Sequence, residues 1–386
     1  MYYFDNAATS YPKPDEVYKF SDYYYRNYGF NATRSHLVKG KNEEISPNEL
    51  IRDTKKMLLD LVNAEDKEVT FLSSATIATN VVLQGLNYDN ISKVYISPFE
   101  HNAVIRTLHY LQKIYDFEII ELAMNRLEDS YDTEEIKYQF QKNNPNLVVI
   151  NHASNVTGLI APIDTICDFA KKYEAITIID IAQSAGQMEV DLSSPKYDFA
   201  IFAGHKSLLA SFGIGGFISN NKISLAPLIY GGTGRDSANP EMPVSGSERH
   251  EVGSVNILAV SSLYASLKYI NSVGLKSILE KKKQIMVDLI NLLDDYPDIK
   301  VYRKGANDKY VYVVSINYSG YSSNNLGEIL AKKDIIVRTG LHCAPLAHKY
   351  LGTFPEGTVR LSISEFTTLD DLEKLEEAID YIEDNS

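Results

Sequence analysis

The sequence predicts an α/β chain: a large domain with a mostly parallel sheet and crossover helices, followed by a smaller C-terminal α+β domain. Three observations carry this. Short apolar runs recur at Val69–Leu72, Val94–Ser97, Phe117–Leu122, Leu147–Asn151, Ile176–Asp180 and Phe199–Ala203. Stretches with helical spacing lie between most of them, among them Ala75–Leu86, Ala103–Gln112, Glu134–Gln141 and Ile163–Tyr173, the alternation expected of parallel strands joined by crossovers. Around Asn256 the pattern changes to two long helical stretches, Ile257–Ser272 and Leu275–Leu293. Sparser strands follow near Lys300–Arg303, Tyr310–Asn317, Ile335–Arg338 and Thr358–Ile363, then a closing helix over roughly Leu369–Ile382. The change divides the chain into residues 1–260 and 261–386, with the N-terminal segment able to pack on the smaller domain.

Bulk properties narrow the function. With 386 residues the chain can bury a large core and form two domains. Its 38 basic and 51 acidic side chains give a net charge of −13, which argues against nucleic acid or an anionic membrane as a partner. Any phosphate it binds must be met locally, by backbone amides and a few chosen side chains. Cys167 and Cys343 are the only cysteines and form no Cys-x-x-Cys pair, so neither a disulfide framework nor a metal cluster is expected, and a reducing cytoplasm fits. The segment from Met1 to Thr9 has no basic n-region, and no later segment is long and apolar enough to span a bilayer.

In a doubly wound sheet ligands lie beyond the carboxyl ends of the strands, so the residues directly after each apolar run are the candidates. Ser73-Ser74-Ala75-Thr76 follows the first run and opens a helix; it reads either as a plain N-cap or as a phosphate cradle. Phe99-Glu100-His101-Asn102 follows the second, where His101 is either a structural histidine or a ring lying flat on an aromatic ligand. The polar loop Asn151-His152-Ala153-Ser154-Asn155-Val156-Thr157-Gly158 follows the fourth. Asp180 closes the fifth, and a carboxylate at the end of so apolar a strand needs a cation or a set of donors; a helix terminus, a metal or a pyridinium nitrogen would each serve. After the sixth run the chain reaches Gly204-His205-Lys206. A lysine at a strand end over a partly apolar cleft loses its proton more readily, and the neutral amine forms a Schiff base with an aldehyde. With Asp180 one crossover earlier, Lys206 reads as an anchor for pyridoxal phosphate (PLP), the alternative being a strand-end salt bridge. Cys343 lies in Thr339-Gly340-Leu341-His342-Cys343-Ala344-Pro345, a glycine- and proline-bounded loop where a thiol can be exposed and its thiolate favoured. Cys167, in a helical stretch, reads as packing.

Taken together, these motifs resemble the class V fold of PLP enzymes (fold type I), and within it the cysteine desulfurases and selenocysteine lyases. The resemblance runs from Phe4-Asp5-Asn6-Ala7-Ala8-Thr9 through Glu100-His101-Asn102, Ser154-Asn155-Val156-Thr157-Gly158, Asp180-Ile181-Ala182-Gln183 and Gly204-His205-Lys206. It continues in Glu251-Val252-Gly253-Ser254 and Arg338-Thr339-Gly340-Leu341-His342-Cys343-Ala344. It implies Lys206 as the Schiff-base lysine, Asp180 as partner of the pyridinium nitrogen, Gln183 as donor to the ring hydroxyl and His101 stacked on the ring. Ser74, Ala75, Thr76 and His205 fall at the phosphate, Asn155 near cofactor and substrate carboxylate, and Arg360 on the α-carboxylate, which its planar fork suits. The resemblance also implies a homodimer in which Ser254 reaches the neighbouring subunit's phosphate. Ala203 departs from the pattern, standing where many relatives carry a hydroxyl, and Ser254-Val255 replaces the more usual Thr-Pro.

The reaction implied is conversion of L-cysteine to L-alanine, with Cys343 taking the sulfur as a persulfide and passing it to a small thiol or acceptor protein. Selenocysteine lysis and a class V aminotransferase with an idle Cys343 are the alternatives within the enzyme class. A non-catalytic binding protein of the same fold is the alternative outside it.

Overall fold

Leu147–Asn151, Ile176–Asp180 and Phe199–Ala203 form the middle of a seven-stranded sheet in a computed structural model of the protein, which describes residues 1–30, 45–234, 238–304 and 307–385. Parallel strands covered on both faces read as near-continuous apolar runs, and here alternate residues feed two cores. Tyr95, Val148, Ile150, Ile179 and Phe202 point to one face, Val94, Ile96, Val149, Ile178 and Ile201 to the other.

Across the sheet the order is Glu68–Leu72, Gly215–Ser219, Phe199–Ala203, Ile176–Asp180, Leu147–Asn151, Lys93–Ile96 and Glu118–Glu121. All six strands expected from the apolar runs are present, and the helices Ala75–Gly85, Asn102–Leu111, Thr133–Lys142 and Ile163–Lys171 fall within a few residues of their expected limits. Gly215–Ser219 is an addition. It runs antiparallel to both neighbours and is inserted between Glu68–Leu72 and Phe199–Ala203. Two glycines hide it from a reading based on strand propensity, yet they make the packing possible. A Cβ on Gly216 would stand 2.0 Å from the Thr70 carbonyl oxygen, and one on Gly215 2.8 Å from the Ala75 amide nitrogen.

Two helices before the sheet, Asp15–Tyr28 and Pro47–Leu61, were also not foreseen. The second starts with a capping box in which Ser46 and Glu49 satisfy each other's backbone amides. Helix Ile257–Val273 buries Val260, Leu263 and Leu267 in the core of the large sheet.

The C-terminal region builds an antiparallel sheet in the order Ile299–Val301, Val313–Tyr318, Thr358–Ser362, Arg338–Gly340, with helices Leu275–Asp294, Ser323–Lys332 and Leu369–Asp384 around it. The single strand expected over Ile335–Arg338 is divided. Ile335–Ile336 pairs in parallel with Tyr2–Tyr3, whereas Arg338–Gly340 pairs with Thr358–Ser362. The chain start thus joins the C-terminal region: Phe4 is buried with Leu289, Val314 and Leu361, and Asp5 forms a bridge to Ser362.

Candidate active site

Asp180 is the last residue of its strand, in register with Asn151 on one side and Ile201 on the other. The neighbouring strand ends at Ala203, and a turn tied by the Gly204 amide to the Ile214 carbonyl and the Leu209 amide to the Lys206 carbonyl brings Lys206 back over the same edge. Both side chains face one cavity of about 190 Å³ at the carboxyl ends of the strands. Burial raises the Asp180 carboxyl above its ordinary value, while the Lys206 charge and the Ala182 amide, 2.9 Å from Oδ1, hold it down. Burial also brings Lys206 down to about 8, helped by the positive charges of Arg360 and Arg338 and opposed by Asp180 and Cys343. A lysine so lowered is neutral far more often at physiological pH than an ordinary one, and the neutral amine is the form that attacks an aldehyde.

Ser74, Ala75 and Thr76 open helix Ala75–Gly85 into the same cavity. Ser74 caps it, its Oγ accepting from the Ile77 amide at 3.2 Å, so the N-cap and the anion-facing helix start coexist. His101 is the N-cap of Asn102–Leu111. Its Nδ1 accepts from the Ala103 amide at 3.0 Å, which fixes the ring in the cavity wall, and burial lowers its pKa to about 4. His205 lines the cavity, leans on Phe212 with ring centroids 4.9 Å apart, and is likewise lowered to about 4 by burial and by Lys206. Ala203 is part of the wall.

Five cavity-lining residues have a buried polar atom without a hydrogen-bond partner among the described residues: Asn151 Oδ1, Asn155 Oδ1, Gln183 Oε1, His205 Nδ1 and Arg360 Nε. Native proteins rarely leave such atoms unsatisfied. With a neutralisable lysine, a buried carboxylate and an open helix start, they form the donor and acceptor set that a flat, phosphorylated pyridine aldehyde requires. Gln183 Nε2 donates to the Ala7 carbonyl at 2.8 Å, which leaves its second Nε2 hydrogen and the unpartnered Oε1 for the cavity.

Arg360 is fully buried. Its Nη2 donates to Asp5 Oδ1 at 2.6 Å and its Nη1 to the Asn155 carbonyl at 2.9 Å, while Nε has no partner among the described residues. The edge left for a carboxylate is therefore the one carrying Nε. Cys343 is half-buried in its loop, and its Sγ accepts from Arg338 Nη2 at 3.1 Å. Arg338 lines the cavity, which links the thiol to the lysine.

Ser254 does not reach the cavity of its own chain. It is exposed in a separate cleft with Arg52, Lys55, Gly232 and Glu251. The sequence points to no role for Arg338 or Asn151, although their position at strand ends is a signal. Glu100 was also passed over. It is wholly buried, Oε1 accepts from the Asn151 amide at 2.5 Å, and burial with the nearby Asp180 charge raises its carboxyl well above the usual range. Cys167 is buried, its thiol pushed up to about 12, the behaviour of a packing residue. Among the described residues no helix is long and apolar enough to cross a membrane.

The sequence model of the family described as Aminotransferase class-V matches residues 2–375. A probable cysteine desulfurase of Pyrococcus abyssi is 31% identical over 96% of this chain and 91% of that protein. A cysteine desulfurase of Haloferax volcanii is 25% identical over 98% of this chain and 89% of its own length. Among solved structures, the apo cysteine desulfurase of Thermococcus onnurineus superposes with a TM-score of 0.87 at 27% identity, over 98% of this chain and 94% of that one. An Escherichia coli cysteine desulfurase shares the fold, with a TM-score of 0.84 at 20% identity over 98% and 94% of the two chains.

Proposed function

The chain belongs to the class-V aminotransferase family, and from that premise we propose that it is a PLP-dependent cysteine desulfurase, converting L-cysteine to L-alanine and leaving the sulfur on Cys343. The observation that carries the reading is the half-buried Cys343 thiol, bonded to an arginine in the wall of the cavity that also holds Lys206 and Asp180.

Lys206 would hold the cofactor covalently, Asp180 its ring nitrogen, His101 its ring face and Gln183 its ring hydroxyl. Ser74, Ala75, Thr76 and His205 would hold its phosphate, with Asn155 beside it. Bound there, the cofactor supplies an electron sink for the α-carbon of an amino acid. The remaining work belongs to the chain. Arg360 binds the α-carboxylate through its Nε edge, with Asp5 and the Asn155 carbonyl fixing the guanidinium plane. The Lys206 amine, eased toward neutrality, takes and returns the proton at the α-carbon. Arg338 Nη2 donates to Cys343 Sγ and holds it at the cavity wall. Cys343, as its thiolate, attacks the substrate sulfur. As the S–S bond forms, the bond from sulfur to the β-carbon breaks, its electron pair stays on carbon and is protonated, and alanine leaves with a persulfide on Cys343. A carrier protein or small thiol then accepts the sulfur.

Ser254 and the exposed apolar Ile229 and Val255, which line one cleft with it, support a homodimer in which this face meets a second copy. We place the domain division near Gly274 rather than residue 260, because helix Ile257–Val273 is buried with the large sheet. A reducing compartment, which we take to be the cytoplasm, suits a working thiol.

The test is Cys343→Ala, assayed for alanine from cysteine. Loss of alanine release by about 10³-fold is expected. Unchanged turnover would remove the persulfide step and leave an aminotransferase or lyase with an idle cysteine.

A further inference from the structure

The scheme above uses Cys343 but not its neighbour. His342 is 2% exposed, and its Nε2 lies 2.9 Å from Thr358 Oγ1. Thr358 Oγ1 is 3.0 Å from Ser315 Oγ, which is 2.7 Å from the Val156 carbonyl oxygen. Thr358 and Ser315 are wholly buried. The proton inventory of this row has one solution. A carbonyl only accepts, so the single hydroxyl proton of Ser315 goes to Val156. The Thr358 proton must then fill the gap to Ser315, or two oxygens would face each other with nothing between them. Thr358 is left as an acceptor, and His342 must donate from Nε2. His342 is therefore the neutral tautomer with the proton on Nε2 and a bare Nδ1, which has no partner among the described residues. Burial and the charges of Arg360 and Arg338, which hold the imidazole well below its usual pKa, agree with this.

The row runs from the cysteine loop across two adjacent strands of the small sheet to the Asn155–Val156 turn that follows strand Leu147–Asn151 of the large one. That segment returns a bond, Asn155 Nδ2 donating to the His342 carbonyl at 2.6 Å. His342 is thus fastened at ring and carbonyl to the same segment. The fastening holds an unfavourable backbone: His342 and Cys343 have φ of 47° and 60°, consecutive left-handed residues with side chains. Such a pair persists only where its surroundings over-determine it. The direction of Cys343 Sγ depends on those two angles.

We propose that His342, Thr358 and Ser315 form a positioning relay that aims the Cys343 thiol and ties the sulfur-accepting loop to the Asn155–Val156 segment at the cofactor cavity. None of the three is a catalytic residue. The inference rests on the reading of Cys343 as the sulfur-accepting thiol.

Thr358→Val keeps the shape of the side chain and removes the middle hydroxyl; Thr358→Ser keeps the hydroxyl; Ser315→Ala breaks the row one link farther on with little change in volume. The full-length holoenzyme is compared by kcat and KM for alanine release from cysteine, by cofactor absorbance, and by the rate at which iodoacetamide alkylates Cys343, Cys167 being buried. Thr358→Val is expected to lower kcat by about tenfold or more, as misplacement of a reacting group does, and to change the alkylation rate, with KM and absorbance held. Thr358→Ser is expected to restore both rates to within about twofold. Wild-type rates in Thr358→Val, or equal losses in Thr358→Ser, overturn the relay. Should Thr358→Val fail to fold, Ser315→Ala decides: lowered kcat with an altered alkylation rate supports the relay, and wild-type values in both overturn it. If the wild-type holoenzyme releases no alanine, the desulfurase reading fails by itself, and the alkylation rates of the same variants still report on the loop.

Discussion

Lys206 and Cys343 face the same chemistry from ends of the molecule that are built in different ways. Lys206 is held by regular structure: a fully buried strand, a turn closed by the Gly204 and Leu209 amides, and Asp180 on the adjacent parallel strand. Cys343 is held by distant partners. The Asn102 amide donates to its carbonyl at 2.7 Å, Asn155 holds the residue before it, and both residues carry left-handed backbone, at roughly 1–3 kcal/mol each. The comparison teaches that cofactor capture and sulfur transfer rest on separable supports. Damage to one should leave the other measurable.

The largest effect is expected at the regular end. Lys206→Ala should abolish covalent cofactor capture and cut alanine release by more than about 10⁴-fold, as loss of a nucleophile does, seen as the missing near-ultraviolet or visible band of the lysine-linked cofactor. Alkylation of Cys343 should persist. If that variant lost both, the two supports would not be separable. Asp180→Asn comes next, with a loss of kcat on the order of 10²- to 10³-fold from removal of one buried electrostatic partner, while the covalent band remains. At the other end, Arg338→Gln should slow alanine release and alkylation of Cys343 by roughly 10-fold, through loss of one charge-assisted contact to sulfur, and leave the cofactor bound.

The regular end was also the legible one. Val148-Val149-Ile150 and Ile178-Ile179 are β-branched because strands buried on both faces need such residues, and the limits of three central strands follow from the sequence alone. Asp180 and Lys206 stand out because a charge at the end of such a run has no structural excuse. Gly215–Ser219 was missed since its glycines serve close packing, not strand propensity. Asp15–Tyr28 was missed because three consecutive tyrosines, Tyr23, Tyr24 and Tyr25, blur the helical spacing; in the fold only Tyr24 of the three is buried. The pairing of Arg360 with Asp5 spans 355 positions and that of Asn155 with His342 spans 187; no local pattern encodes either. What surrounds Cys343 was therefore visible only as a motif, without its geometry.

The smallest effect joins the two ends through charge. Covalent capture of added pyridoxal phosphate by cofactor-free protein needs the neutral amine of Lys206, whose folded pKa is about 8. Below that pH the neutral fraction, and hence the capture rate, should rise about tenfold per unit, then level off above it. The ammonium is favoured by Asp180 and disfavoured by Arg338. Removing the anion in Asp180→Asn should therefore move the midpoint down, and removing the cation in Arg338→Gln should move it up. Opposite shifts, read from stopped-flow absorbance across pH 6 to 10, a span chosen as about two units either side of the expected midpoint, would place both groups in one electrostatic field despite their separate supports. A midpoint that ignores Arg338 would mean that the cysteine loop does not reach the lysine's field, and the sulfur-transfer geometry would fall before the cofactor site does.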